Sequence, residues 1–123
     1  MLKVRLSEGP SLTKTLALEG RLDAESVGIL DQELDMLLES AMKVLVFDLS
    51  KLEYVSSAGL RSLFRAQKTM RAGSGKAVVL NPTPAVKKVL DIVKAAEIDS
   101  IFTSVQELDR YLDAMQKKVS GAE

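Results

Sequence analysis

Two sequence patterns with different periods follow one another between residues 44 and 61. The first is an unbroken apolar run, Val44 to Phe47, that is rich in β-branched and aromatic residues. Such a run is typical of a strand that is buried on both faces in a sheet covered by helices. The chain then turns polar, and from Leu60 onward the apolar residues recur with helical spacing. The segment therefore predicts a buried strand ending near Leu49, a loop, and a helix over residues 57–71.

Shorter patterns predict the remaining elements. Alternating apolar residues predict strands over 3–7 and 13–19, with Gly20 ending the second strand. Strands are also predicted over 77–80 and 98–102, and helices over 24–40, after Pro84 and after Ser104. An opening hairpin followed by alternating strands and helices predicts a single α/β domain, with a mixed, mostly parallel β-sheet of about four to five strands packed with about four helices. We assign this domain to residues 1–115 and expect residues 116–123 to form a flexible tail.

Composition argues against several classes of function. Lysines and arginines number 17, as do aspartates and glutamates, so the chain lacks the net positive charge of a broad nucleic-acid interface. No apolar run approaches the ~20 residues of a membrane helix, and the N-terminus lacks the apolar block of a signal peptide. The absence of histidine and cysteine removes the usual zinc ligands and the commonest general base. We therefore expect a cytoplasmic protein that binds neither membrane nor nucleic acid, holds no metal or cofactor, and is not an enzyme.

Polar loops are predicted to meet at one edge of the sheet. Ligand and partner sites in open α/β sheets favour the edge where parallel strands have their carboxyl ends. The loops at Asp23, at the Ser56-Ser57 pair and at residues 81–84 each follow a predicted strand, so we expect them to be neighbours. The two serines also stand where a helix begins, and a helix start has unpaired N–H groups and partial positive charge.

Two segments give the chain a family resemblance. Residues 19–24, EGRLDA, followed by residues 46–60, VFDLSKLEYVSSAGL, resemble a STAS domain of the bacterial anti-sigma factor antagonist type. The second segment is the more specific of the two. The resemblance implies a protein that, when unphosphorylated, binds a serine-kinase anti-sigma factor and displaces the bound sigma factor. The kinase then phosphorylates a serine at the start of the second helix, which releases the antagonist, and a serine phosphatase restores it.

By motif position the phosphoacceptor is Ser57. The family commonly has an acidic residue directly before the acceptor, whereas this chain has Ser56, so whether Ser56 can substitute as acceptor stays open. The residues expected to contact the partner are Asp23, Ser56, Ser57, Ala58, Gly59 and Arg61. No catalytic residue is expected.

Simpler structural roles compete with these assignments. Ser56 or Ser57 can cap the helix, and capping can coexist with modification. Asp23 can cap the helix that follows it, and Arg61 can be an ordinary solvated arginine. We expect Asp48 to organise the loop after the strand rather than to perform acid–base chemistry.

Two other classes of function remain as alternatives. A STAS structural subunit of a transport or signalling complex would bind constitutively, and phosphorylation of Ser57 would then be irrelevant. A small enzyme is the weaker alternative, because the commonest nucleophile–base pairs need histidine or cysteine.

Overall fold

The computed structural model describes residues 1–92, 100–102 and 110. These residues contain five strands and three helices. The strands are β1 (Leu2–Glu8), β2 (Thr13–Leu22), β3 (Val44–Val55), β4 (Lys76–Leu80) and β5 (Ser100–Phe102), and the helices are α1 (Val27–Leu37), α2 (Ser57–Ala72) and α3 (Pro84–Ile92). The helix predicted after Ser104 and the predicted tail lie outside the described residues.

The strands form one mixed sheet in the order β1-β2-β3-β4-β5. β1 pairs antiparallel with β2, and each later strand pairs parallel with the one before it. Each parallel neighbour is reached through a helix, because a parallel pair needs a crossover connection. The predicted α/β class and the mixed, mostly parallel sheet are confirmed.

β3 is much longer than the sequence pattern predicted. It continues past Leu49 to Val55, and its pairing with β2 contains two register shifts. Ala17 pairs with Asp48 but Glu19 pairs with Lys51, so β3 carries an extra residue at this bulge. A bulge interrupts the alternation of side chains, which is why the polar residues after Phe47 were wrongly interpreted as a loop.

Asp48 organises this bulge. Its Oδ1 accepts a hydrogen bond from the backbone N–H of Ser50 at 3.0 Å. The prediction that Asp48 organises a loop after the strand was wrong, because Asp48 lies within β3.

Gly20 was also wrongly predicted to end β2. The strand continues to Leu22, and Gly20 adopts a φ of 105°, which favours glycine. A Cβ built on Gly20 would lie 2.1 Å from the backbone oxygen of Met1. Glycine therefore lets the end of β2 lie against the start of the chain.

The core lies between the sheet and the helices. Leucines of β2 and β3 alternate into it together with Phe47, and they meet apolar side chains from all three described helices. The main contributors are Leu16, Leu18, Leu45, Phe47, Leu49 and Leu52 from the sheet, and Leu30, Leu34, Leu63, Ala66, Val86 and Leu90 from the helices. Residues of the opposite register, Val44, Val46, Val78 and Leu80, are also buried. The central strands are therefore apolar on both sides, as the sequence predicted.

α1 is shorter than the predicted helix over residues 24–40. Residues 24–26 form a turn, and the helix begins at Val27. At the other end, the Ser40 hydroxyl donates to the carbonyl of Leu37 at 2.7 Å and its N–H donates to the same oxygen at 3.0 Å. These bonds close the helix and direct the chain toward β3.

Polar contacts fix α2 against α1. The Ser62 hydroxyl, which is buried, donates to Asp31 Oδ1 at 2.7 Å. The Arg65 guanidinium donates to Asp31 and to Asp35, each at 3.2 Å. The position of α2 therefore depends on directional bonds as well as on apolar packing.

Gln67 of α2 is fully buried, and neither its Nε2 nor its Oε1 has a hydrogen-bond partner in the described part of the chain. An unpaired buried amide carries a desolvation cost of roughly 1–3 kcal/mol. We expect Gln67→Met, which keeps the length of the side chain and removes the amide, to raise the free energy of unfolding by about 1–2 kcal/mol. Urea denaturation would show a higher midpoint with an unchanged slope.

The matched control is Gln32→Met, at an exposed position of α1. This change should leave the free energy of unfolding within about 0.5 kcal/mol of the wild type. A midpoint for Gln67→Met at or below that of the wild type would contradict the expectation.

Candidate functional site

β2 and β3 end side by side, which brings two of the predicted loops together. Leu22 pairs with Val55 at the last position of both strands, and the N–H of Ser56 donates to the carbonyl of Leu22 at 2.9 Å. Asp23 follows Leu22 directly, so the turn that contains Asp23 lies beside the start of α2. The structure therefore places Asp23 and the serine pair at one site, as predicted.

The loop at residues 81–84 lies at a different position along β3 from the other two loops. β4 ends at Leu80, which pairs with Asp48, whereas β3 continues to Val55. The Thr83 hydroxyl donates to the carbonyl of Leu52 at 2.8 Å, so this loop contacts β3 before the serine pair. The expectation that all three loops are direct neighbours fails for this loop, because β3 continues to Val55, past its last pair with β4.

Ser56 is the N-cap of α2. Its backbone is extended, with φ −95° and ψ 174°, and its Oγ accepts a hydrogen bond from the N–H of Gly59 at 3.3 Å. Its carbonyl accepts the first helical bond, from the N–H of Leu60 at 2.9 Å. The half-buried Ser56 hydroxyl is therefore used to satisfy one of the unpaired N–H groups of the helix start.

Ser57 is the first residue of α2, and it is exposed. Within the described part of the chain, its hydroxyl takes part in no hydrogen bond. The neighbouring Ala58 is half-buried and has only a methyl side chain. Of the two adjacent serines, Ser57 thus presents the hydroxyl that another molecule can reach.

Gly59 sets how closely α2 approaches the strand ends. A Cβ built on Gly59 would lie 2.7 Å from Leu22 Cγ and 3.0 Å from Val55 Cγ2. Both leucine and valine are buried, so they have little room to move. Gly59 is buried as well, and its lack of a side chain lets the first turn of α2 lie close to the strand ends.

Asp23 caps the turn that leads into α1. Its Oδ1 accepts hydrogen bonds from the N–H groups of Ser26 at 3.0 Å and of Glu25 at 3.1 Å. The bond from Ser26 is the largest of the effects that lower the pKa of Asp23 below its ordinary value of 3.8. Ser26 precedes the first residue of α1 but makes no side-chain cap bond. The carbonyl of Asp23 also accepts from the N–H of Val27 at 2.8 Å, so Asp23 caps the turn that leads into α1, in keeping with its predicted capping role. The Asp23 carboxylate is held in place at the site.

Arg21 and Tyr54 belong to this surface, although the sequence patterns did not single them out. They pair across β2 and β3, and the Arg21 guanidinium lies 4.3 Å from the centroid of the Tyr54 ring. Arg21 Nε is also 3.8 Å from Asp23 Oδ2. Both Arg21 and Tyr54 are exposed. The signal that could have found them is the parallel pairing of the two motif segments, which sets Arg21 opposite Tyr54.

Arg61 lies one helical turn after Ser57 and is exposed. The site thus consists of an accessible hydroxyl with charged side chains around it. A metal site would need three or more histidine, cysteine, aspartate or glutamate side chains close together, and the described residues contain no such group. In the same part of the chain, no carboxylate is hydrogen-bonded to Ser57 to activate it as a nucleophile. Chemically, the arrangement offers an exposed hydroxyl at the start of a helix.

The chain is similar in sequence to known proteins. Residues 4–108 match the sequence profile of the STAS domain. Over 75 residues the chain is 32% identical to the protein named as anti-sigma factor antagonist BtrV of Bordetella bronchiseptica, and the aligned region covers 61% of this chain and 65% of BtrV.

Solved structures show the same fold. The chain resembles the anti-sigma factor antagonist SpoIIAA in its unphosphorylated form, with a TM-score of 0.78 and 18% identity over 91% of this chain and 97% of SpoIIAA. It also resembles the phosphorylated form of the Bacillus cell fate determinant SpoIIAA, with a TM-score of 0.71 and 20% identity over 89% of this chain and 99% of the other. In the part of the chain that the structure describes, no helix combines the length and apolarity needed to cross a membrane.

Gly59 provides a test of the close packing at the start of α2. We expect Gly59→Ala to lower the free energy of unfolding by roughly 1–3 kcal/mol, because the new methyl group would overpack Leu22 and Val55. The matched control is Gly28→Ala in α1, where a Cβ would meet nothing within 4 Å. Alanine there should raise the free energy of unfolding by up to about 1 kcal/mol. Urea denaturation of both variants decides the point, and equal effects would contradict the packing described.

Asp23 provides a test of the turn that precedes α1. Because its pKa is lower in the folded chain than in the unfolded chain, ionisation of Asp23 stabilises the fold above the unfolded pKa. This stabilisation is lost as the pH falls through the folded pKa. An NMR titration of the Asp23 carboxyl carbon should give a midpoint below 3.8. A midpoint at or above that value would show that the Ser26 and Glu25 N–H groups do not hold the carboxylate.

Proposed function

The chain belongs to the STAS domain family, and we propose that it is an anti-sigma factor antagonist whose binding to a serine-kinase anti-sigma factor is switched off by phosphorylation of Ser57. The observation that carries this proposal is the division of roles between two adjacent serines. Ser56 is held by its cap bond to Gly59, whereas Ser57 is exposed and its hydroxyl has no hydrogen bond within the described residues. A kinase can therefore phosphorylate the Ser57 hydroxyl without first breaking a hydrogen bond of the fold.

The relatives support the same assignment. BtrV is named an anti-sigma factor antagonist, and SpoIIAA, which has the same fold, is known in both an unphosphorylated and a phosphorylated form. In this chain the serine that matches the modified position of the family motif is the exposed one. The partners we propose are a serine-kinase anti-sigma factor and a serine phosphatase, and the compartment we propose is the cytoplasm.

Phosphorylation at Ser57 would change the surface and leave the fold intact. The phosphoryl group adds about −1.5 to −2 charges at neutral pH. At the first residue of α2 this charge faces the partial positive end of the helix, so the scaffold can accommodate it. A partner that packs against a neutral hydroxyl would lose complementarity, and a tenfold loss of affinity needs only about 1.4 kcal/mol.

The partner-facing surface follows from the exposure of the site residues. Ser57 and Arg61 are exposed and Ala58 is half-buried, so these three can be touched by a docked protein. Asp23 and its neighbours Arg21 and Tyr54 extend the surface along the ends of β2 and β3. Polar side chains lie at the rim of this surface, and small side chains lie at its centre. This arrangement suits insertion of Ser57 into a kinase cleft.

We expect the cognate kinase and ATP to place one phosphoryl group on the wild-type chain and none on Ser57→Ala. The matched control is Ser56→Ala, which should still be phosphorylated, although loss of the cap should lower its free energy of unfolding by about 1 kcal/mol. Mass spectrometry of the intact chain and its peptides measures both results. Phosphorylation of Ser57→Ala at another serine would show that the acceptor has been misassigned.

Ser57→Asp separates the switch from the alternative of a constitutive structural subunit. As an antagonist, this variant should bind the anti-sigma factor at least about tenfold more weakly than the wild type, because it introduces a negative charge at the contact. Calorimetry with the purified kinase measures the affinity. Equal affinities for Ser57→Asp and the wild type would favour the structural role.

A further inference from the structure

The charges of the chain are segregated between α1 and α2. Across Ser57–Ala72, α2 has no aspartate or glutamate, and its cations are Arg61, Arg65, Lys68 and Arg71. Across Val27–Leu37, α1 has no lysine or arginine, and its carboxylates are Asp31, Glu33 and Asp35. The formal net charge of zero therefore hides a basic helix beside an acidic one.

Arg65 forms ion pairs with carboxylates of the same chain. Its guanidinium reaches Asp31 and Asp35 at 3.2 Å each, so the acidic helix neutralises it. Arg61 and Lys68 differ from Arg65. Both are exposed, and neither is paired with a carboxylate among the residues that the structure describes.

Arg61 and Lys68 lie on the same face of α2 as Ser57. They follow Ser57 by four and eleven residues, and eleven residues are close to three full helical turns. The two cations and the serine therefore line up along about 16 Å of the helix. We call Arg61 and Lys68 the basic strip of α2.

We propose that the basic strip docks an acidic surface of the partner protein that Ser57 contacts. The inference rests on the proposed function, because it takes the serine-kinase anti-sigma factor as the occupant. The arguments are charge complementarity and continuity: the two cations have no partner in the described chain, and the strip starts one turn from the proposed phosphoacceptor. Complementary charges at the rim of an interface steer association and increase its dependence on ionic strength.

The strip also gives the switch a second effect beyond the loss of fit at Ser57. A phosphoryl group on Ser57 would lie at the end of the strip, where it would repel the acidic surface of the partner. Residues four apart on a helix are neighbours, so the phosphoryl group would also attract the Arg61 guanidinium. The partner would thus meet added negative charge and lose a cation at the same place.

The test measures association of the full chain with the purified cognate anti-sigma factor by stopped-flow fluorescence, at ionic strengths of about 0.01 M and about 0.15 M. Arg61→Glu and Lys68→Glu reverse the charge of the strip. Each should lower the association rate constant by about tenfold at the lower ionic strength and weaken its dependence on salt. Arg61→Gln and Lys68→Gln should give smaller losses in the same direction.

The matched control is Lys43→Glu, which makes the same change of charge at an exposed position before β3, at the opposite end of that strand from Ser57. It should keep the wild-type rate within about twofold. Equal unfolding midpoints for all variants show that the comparison concerns the surface alone. Rates for the strip variants equal to that of Lys43→Glu would overturn the docking surface while leaving the proposed function standing. Failure of the wild type to bind the anti-sigma factor would overturn both.

Discussion

The contact on which the site depends is the seating of the first turn of α2 against the ends of β2 and β3. It consists of one backbone hydrogen bond, from Ser56 to the carbonyl of Leu22, and of the close approach of Gly59 to Leu22 and Val55. Both strand ends are held by the core, because Leu22 and Val55 are buried. The position of the helix start is therefore fixed by the packed interior, and Ser57 is carried to the surface at a defined place.

In the proposed switch, this seating would let one small segment combine stability with regulation. The Ser56 hydroxyl caps the start of α2, so it is already hydrogen-bonded within the fold. Ser57 is one residue further on, and its hydroxyl makes no hydrogen bond within the described residues. We therefore expect it to change its charge at little cost to the scaffold. The bonds of Ser62 and Arg65 to α1 also hold the body of α2 in place.

The sequence predicted the helices and strands well where the spacing of its apolar residues was regular. The apolar run at Val44 and the helical spacing after Leu60 predicted the central β3–α2 unit, and the STAS resemblance based on that unit is confirmed. The length of β3 was missed, because its bulges add residues that break alternation and no local signal marks them. The sequence placed both serines at the start of α2. It could not show which serine is the N-cap and which is the first helical residue, because a shift of the helix start by one residue exchanges the two roles. Arg21 and Tyr54 were missed because their contact depends on the register between two distant segments.

The central claim is that a phosphoryl group on Ser57 alters recognition without altering the fold. The most direct measurement uses the full chain with phosphoserine installed stoichiometrically at position 57, and compares its affinity for the serine-kinase anti-sigma factor and its urea midpoint with those of the unmodified chain. We predict a loss of affinity of at least about tenfold, which corresponds to ~1.4 kcal/mol, with an unchanged midpoint. Equal affinities for the two forms, or a loss of affinity accompanied by unfolding of the modified chain, would contradict the claim.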